Sequence, residues 1–331
     1  MKEVTVGVDI GGTNTKVGIV DREGNFLADS SIPTDGYSDV DVFIYGLHQQ
    51  IEKLLQPIKD QVVLKGIGIG APNGNYYKGT IEYAPNLNWK GIVPFVDLLK
   101  KHYNLPIALT NDANAAAIGE MVFGAAQNMK DFIMVTLGTG LGSGFVANGQ
   151  LIYGHDGFAG ELGHIVVNPN GRDCGCGRKG CLETYVSATG IKRTVYKLLA
   201  DHREESILRK IAFDGLSAEM ITDAALKGDK IALEAFEYTG RVLGEKLADA
   251  VTFTSPEAII LFGGLVNAGE LLFKPIRFHM EKSMMNIFKG KVKLIPSGLM
   301  NKNAAILGAS AIIWNELRKP EYKNLDNLIE G

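Results

Sequence analysis

Cysteine is nearly missing from this chain of 331 residues: there are three, an odd number that cannot form a complete disulfide framework. All three fall between residues 174 and 181, so they staple no distant segments. Such usage suits a reducing compartment, and the cytoplasm is the expected location. Long apolar runs are also lacking. None approaches the ~20 residues that span a bilayer, and Met1-Lys-Glu-Val-Thr-Val leads straight into a strand pattern with no secretory apolar region. Net charge is small, −3 from 34 basic and 37 acidic residues. That balance disfavours a dominant electrostatic contact with nucleic acid or an anionic membrane. With 46% hydrophobic and 21% charged residues the chain is an ordinary globular one, long enough for two domains with substantial cores.

Glycine is what abounds. The 40 glycines exceed the usual share of ~7% and cluster at 66–74, 138–144, 154–163, 171–180 and 263–269, where they predict tight turns or backbone close to ligands. Between them, β-branched alternation predicts strands at 4–10, 15–20 and 26–31 around a glycine turn and a hairpin turn. A helix is predicted over 40–58 with Val42, Ile44, Leu47, Ile51, Leu54 and Leu55 on its apolar stripe. Strands at 63–69 and 107–110 and helices at 95–103 and 113–123 follow. The opening pattern recurs at 132–153, so two α/β domains related by duplication are expected. Helices at 187–199, 217–226, 230–254 and 304–317 and strands at 258–262 and 291–296 complete the reading. The expected domains are 1–115, completed by a terminal helix 304–318, and 116–303.

Residues 160–183 hold all three cysteines and one of six histidines. His164, Cys174, Cys176 and Cys181 make a complete Cys₃His set, the tetrahedral complement of a structural zinc ion with no position left for water. The bland alternative is a buried or redox cysteine pair beside a core histidine. Gly175, Gly177 and Gly180 argue instead for a loop whose backbone turns toward sulfur. Glu161 and Glu183 bracket the cluster, so a zinc knot would hold two carboxylates near each other without entering any reaction. That suits a ligand rich in hydroxyls.

Asp9-Ile-Gly-Gly-Thr13 lies between two strands. Gly11 and Gly12 permit a turn whose N–H groups, with the Thr13 hydroxyl, surround phosphate oxygens. Asp9 would hold Mg²⁺ through water, while Lys16 either reaches the loop or lies on the solvent face. Leu137-Gly-Thr-Gly-Leu-Gly-Ser-Gly144 fits neither the P-loop nor the dinucleotide pattern, because strand rather than helix follows. It reads as a second phosphate loop, with a hydroxyl from Thr139 and an N–H from Gly140. Asn111-Asp112 stands where strand gives way to helix. Asp112 there is either a helix cap or the acceptor of a proton from a hydroxyl attacking phosphorus, its pKa held low by the helix dipole.

On these segments, residues 4–318 resemble the sugar kinases of the ROK family, within the actin/hexokinase-like superfamily, and most of all its bacterial glucokinases. The resemblance implies two duplicated actin-like, ribonuclease H-like domains with mixed five-stranded sheets flanking a central cleft. It implies an enzyme that transfers the γ-phosphoryl of ATP to the 6-hydroxyl of glucose, using Mg²⁺ and a structural Zn²⁺, as a homodimer or tetramer. Asp112 would be the base. Asn73, Asn86, Asn111, Asp112, Glu161, His164 and Glu183 would meet the sugar. Asp9, Gly11, Gly12, Thr13, Asn14, Gly138, Thr139 and Gly140 would serve the phosphates, with Gly263 and Gly264 beside adenosine. His164 would place one ring nitrogen on zinc and offer the other to the sugar.

Asn73 stands where the family often has glycine, its side chain reaching the sugar or closing an Asx turn with Asn75. That departure leaves N-acetylmannosamine, N-acetylglucosamine, mannose and fructose open beside glucose. A non-catalytic sugar sensor is a further alternative. The family's repressors carry an N-terminal helix-turn-helix, for which a first strand at Val4 is expected to leave no room.

Overall fold

The computed structural model describes residues 1–300 and 302–319 and divides into two compact units. The first gathers residues 1–129, 151–159, 298–300 and 302–319; the second gathers 130–150 and 160–297. In the first, β1 (Lys2–Ile10), β2 (Asn14–Asp21) and β3 (Phe26–Pro33) run as an antiparallel meander. β4 (Val62–Ala71) joins β1 in parallel. Short strands β5 (Gly74–Asn75), β6 (Thr80–Glu82) and β7 (Ile92–Val93) form a small separate sheet. β8 (Ile107–Asn111) then pairs in parallel with β4, giving the order β3-β2-β1-β4-β8.

β1 is the central strand and is buried on both faces. Val4, Val6, Val8 and Ile10 share one core with Phe43, Ile44, Leu47 and Ile51 of helix α1 (Val40–Leu55). Val42, expected on that stripe, is exposed, and Phe43 turns inward in its place. α1 stops before the predicted end at 58 because Pro57 has no N–H to continue it; residues Gln56–Ile58 form a 3₁₀ turn instead.

The opposite face of the sheet receives the C-terminal helix Ala304–Glu316. A Cβ on Gly7 would overlap the Ile306 carbonyl oxygen, and one on Gly68 would overlap that of Ala309. The Thr5 hydroxyl meets the Ser310 hydroxyl at 2.7 Å. Gly66 and Gly68 therefore serve helix docking within a strand, not the turn or ligand loop that their cluster predicted.

Helices α2 (Phe95–Lys100) and α3 (Asp112–Phe123) follow the small sheet and β8. α3 crosses the C-terminal helix at Gly119 and Gly308, where a Cβ on Gly119 would stand 2.9 Å from the Gly308 Cα. This crossing carries the first unit past the expected boundary at 115. Residues 151–159 also belong to it, tied by the Asn75 side-chain N–H to the Asp156 carbonyl at 2.8 Å.

The second unit repeats the topology. β9 (Phe132–Leu137) and β10 (Leu141–Ala147) are antiparallel, β11 (Gln150–Leu151) borders β10, and β12 (Ala258–Phe262) and β13 (Lys293–Pro296) extend the sheet in parallel. Its order is β11-β10-β9-β12-β13, the same pattern within its own strands as the first sheet. Helices Ala188–Asp201, Ala218–Leu226 and Lys230–Thr254 stand where predicted. Helix Glu270–Ser283 was not anticipated because Pro275 lies inside it. Its ring rests on Gly240, where a Cβ would stand 2.6 Å away. Among the described residues no helix is long and apolar enough to cross a membrane.

Candidate active site

Because β1, β4 and β8 are parallel, their C-terminal ends share one edge of the first sheet, where α/β proteins hold ligands. Asp9 near the end of β1, the turn at 11–13, Asn73 just past β4, and Asn111 with Asp112 at the close of β8 all stand there. Asn111, not Asp112, caps α3. Its Oδ1 accepts from the N–H groups of Ala113 at 2.7 Å and Asn114 at 3.4 Å, so its amide nitrogen is what remains to offer a ligand.

Asp112 is thereby the first helical residue, with its Oδ1 accepting from the Ala113 N–H at 2.8 Å. It keeps an open face to solvent yet is hemmed in by protein. The lost water raises its pKa against the downward pull of that N–H. The low pKa expected from the helix dipole is not found, because desolvation outweighs the dipole.

Asp9 is pushed up to about 6, first by burial and then by the neighbouring Asp112 carboxylate, while Lys16 pulls it down. Lys16 pairs with Asp9 across β1 and β2, so it lies on the same face of the sheet. The turn after β1 is closed by the Gly11 N–H on the Asn14 carbonyl at 3.0 Å and anchored by the Thr34 N–H on the Thr13 carbonyl at 2.7 Å. A Cβ on Gly12 would stand 2.8 Å from the Asn86 carbonyl oxygen. Close approach, then, demands the glycine. The side chains of Thr13, Asn14 and Asn86 are exposed beside it.

Asn73 does not close the Asx turn with Asn75 that was one of its two expected roles. It adopts a left-handed φ of 51° and donates its amide hydrogens to the carbonyls of Glu82 at 3.0 Å and Tyr83 at 3.3 Å. Only its Oδ1 is left for a ligand.

In the second unit, the turn after β9 is closed by the Gly138 N–H on the Gly140 carbonyl at 3.1 Å, with Thr139 exposed at its tip. Gly263, at a φ of 110°, lies against it: a Cβ there would stand 2.5 Å from the Leu137 carbonyl oxygen. Gly264 opens a 3₁₀ turn at the end of β12, with open space about its Cα. Glu183 opens the short helix Glu183–Val186 and accepts the Leu141 N–H on Oε2 at 2.9 Å.

Glu161 is exposed, with Oε2 3.9 Å from Nε2 of His164. Nδ1 of His164 faces the Cys174 thiol at 3.7 Å. The two ring nitrogens thus have separate partners, as a dual role requires. Ser143 on β10 holds this loop, donating its hydroxyl to the Gly160 carbonyl and accepting the Leu162 N–H at 3.1 Å. Nothing in residue type or spacing marked that serine.

His164, Cys174, Cys176 and Cys181 bring their donor atoms within 4.8 Å of one another, and the Cys176 and Cys181 sulfurs are 3.6 Å apart. Tetrahedral zinc with Zn–S bonds of about 2.3 Å sets sulfurs about 3.7 Å apart, so the set fits the ion. Burial raises the Cys176 pKa, but the N–H and guanidinium of Arg178 outweigh it and draw the thiol down to about 6, toward the thiolate that zinc takes. Arg172 fastens the start of the loop, donating to the Thr184 carbonyl at 2.7 Å and the Gly190 carbonyl at 3.0 Å and lying 4.5 Å over the Tyr185 ring. It too was missed, since lone arginines carry no spacing signal.

Known proteins resemble this chain in sequence and in fold. The chain is 38% identical to a glucokinase of Halalkalibacterium halodurans over 83% of this chain and 84% of that one. It is 30% identical to the xylose repressor of Bacillus subtilis, over 93% of this chain and 76% of the repressor. Its structure resembles that of a ROK family glucokinase from Streptomyces griseus in complex with glucose and AMPPNP. The TM-score is 0.76 at 33% identity, covering 93% of this chain and 98% of that one. A sequence model of the ROK family matches residues 5–316. A match that runs from β1 through the C-terminal helix, both sheets and the cysteine loop included, makes the chain a member of the ROK family.

Proposed function

We propose that the chain is an ATP-dependent hexokinase that transfers the γ-phosphoryl of ATP to the 6-hydroxyl of glucose, giving glucose 6-phosphate and ADP. The observation that carries this reading is the release of Asp112 from capping by Asn111, which leaves a carboxylate of raised pKa at the end of β8. Such a group accepts the proton of the attacking hydroxyl better than an ordinary carboxylate does. Positioning and charge neutralisation supply most of the remaining catalysis. The likeness to glucokinases supports glucose as the acceptor.

In this reading Asn86, Asn111, Glu161, His164 and Glu183 hold ring hydroxyls, and Asn73 contributes through its Oδ1. The turns at 11–14 and 138–140 cradle phosphates, and Gly263 with Gly264 lies beside adenosine. Asp9 holds Mg²⁺ through water. Zinc on the Cys₃His set supplies fixed geometry to His164 and Glu183 and takes no part in the transfer. In this reading the enzyme acts in the cytoplasm as a homodimer or tetramer.

Asp9 makes the reading sensitive to pH. Below about 6 its carboxyl is protonated and cannot attract a hydrated cation. Between pH 7 and pH 5 its ionised fraction falls roughly tenfold, so kcat/KM for MgATP is expected to fall by a similar factor. Asp9→Asn should be low throughout and lack that step. Its folded pKa lies above the unfolded value of 3.8, so ionisation opposes folding as pH rises through this window. Asp9→Asn is therefore expected to raise the melting temperature at pH 7 while losing activity.

The decisive experiment is ADP release by purified protein against glucose, mannose, fructose, N-acetylglucosamine and N-acetylmannosamine. Glucose is expected to give the highest kcat/KM. Sugar binding with no ADP release for any hexose would replace the kinase by a sensor, the alternative favoured by the likeness to the xylose repressor.

A further inference from the structure

We infer that Glu183 is a positioning residue that couples sugar binding to the phosphate turn at Gly138–Gly140. The inference rests on the proposed function for the identity of the two ligands. Its physical basis is one peptide plane, the one joining Gly140 to Leu141. The N–H of that plane is donated to Glu183 Oε2 at 2.9 Å. Its carbonyl, that of Gly140, accepts the Gly138 N–H at 3.1 Å and so closes the turn. A peptide is planar, so whatever fixes the N–H direction fixes the carbonyl direction too.

Glu183 thus sets the orientation of the bond that closes the turn. The far side of the turn is held independently, by the Ala188 N–H on the Gly138 carbonyl at 2.9 Å. Glu183 itself is held two residues beyond Cys181, where the Thr184 N–H meets the Cys181 carbonyl at 3.0 Å. The Cys174 thiol approaches its other oxygen at 3.8 Å. The carboxylate therefore spans from the Cys₃His loop to the glycine turn. A hydroxyl donated to this carboxylate draws charge and position from the Leu141 bond, and a phosphate that reshapes the turn moves the carboxylate in return. Coupling of this kind is reciprocal by thermodynamic necessity.

Substituting Glu183 removes the carboxylate itself, whereas Gly140→Ala keeps it and breaks its bond to the turn. A Cβ on Gly140 would overlap Glu183 Oε2, and Gly140 has no positive φ. Gly140→Ala therefore pushes a flexible carboxylate tip aside without straining the backbone. Gly138→Ala is the matched comparison in the same turn, since its added methyl meets nothing within 4 Å.

Glucose affinity is measured by calorimetry with no nucleotide present. Gly140→Ala is expected to weaken it tenfold or more. In the unsubstituted protein, a non-hydrolysable ATP analogue should change glucose affinity by at least fivefold, and Glu183→Gln should bring that factor close to one. Amide hydrogen exchange at Leu141 tests the link without any ligand: slow in the unsubstituted protein and in Gly138→Ala, fast in Gly140→Ala. Equal glucose affinity in Gly140→Ala and the unsubstituted protein, or unchanged exchange at Leu141, overturns the inference. An unsubstituted protein that binds no glucose overturns the proposed substrate instead, and the exchange result still decides the link.

Discussion

Asp112→Asn is expected to lower kcat by roughly 10²–10⁴, the usual contribution of a positioned general base, with a much smaller change in KM for glucose. Asparagine keeps the shape of the side chain and the oxygen that accepts the Ala113 N–H. The cap on α3 comes from Asn111 and is untouched, so a fall in rate could not be blamed on a frayed helix. Stability should rise slightly at neutral pH. The folded pKa is raised, so this group favours folding only at pH values where it is protonated, and that contribution is lost as pH rises through the folded pKa. Removing the charge removes the penalty. Steady-state kinetics and a thermal melt on the one variant test both statements. More than a tenth of the original kcat remaining would move the base elsewhere, with Glu161 the next candidate.

Loss of zinc is the second large effect expected. Careful purification should yield about one zinc per chain, and Cys181→Ser should yield none. Cys181 is fully buried, so its loss strands Cys174 and His164 around an incomplete tetrahedron. Metal binding at such a site is coupled to folding of the loop that forms it. A fall in melting temperature on the order of 5–10 °C is expected, equivalent to a few kcal/mol in a chain of this size. Sugar affinity should fall at least tenfold with it, because His164 belongs to the proposed ligand set and Glu183 lies two residues past Cys181. Elemental analysis, calorimetric melting and glucose titration follow the three changes. Fully active protein without zinc would end the structural-zinc proposal.

How far the site was legible depended on distance along the chain. The four zinc-type donors lie within eighteen residues, and residue type with spacing was enough to collect them. Asn73 shows the opposite case. Its sequence context offered a sugar contact or an Asx turn, and the bonds it makes go to Glu82 and Tyr83, nine and ten residues on. Helix Glu270–Ser283 was hidden by Pro275, whose ring is accommodated by Gly240 on another helix.

By itself the sequence determined the repeated strand, turn and strand of each unit, the Cys₃His set, and the carboxylate at the end of β8. These follow from alternation, turn residues and side-chain chemistry, all readable within a few residues. Only the tertiary structure decided that Gly7 and Gly68 make room for a helix some 240 to 300 residues away, which of Asn111 and Asp112 caps α3, and that Asp9 and Asp112 have raised pKa values. Close backbone approach and the exclusion of water depend on what the rest of the chain brings alongside, and no local pattern encodes that.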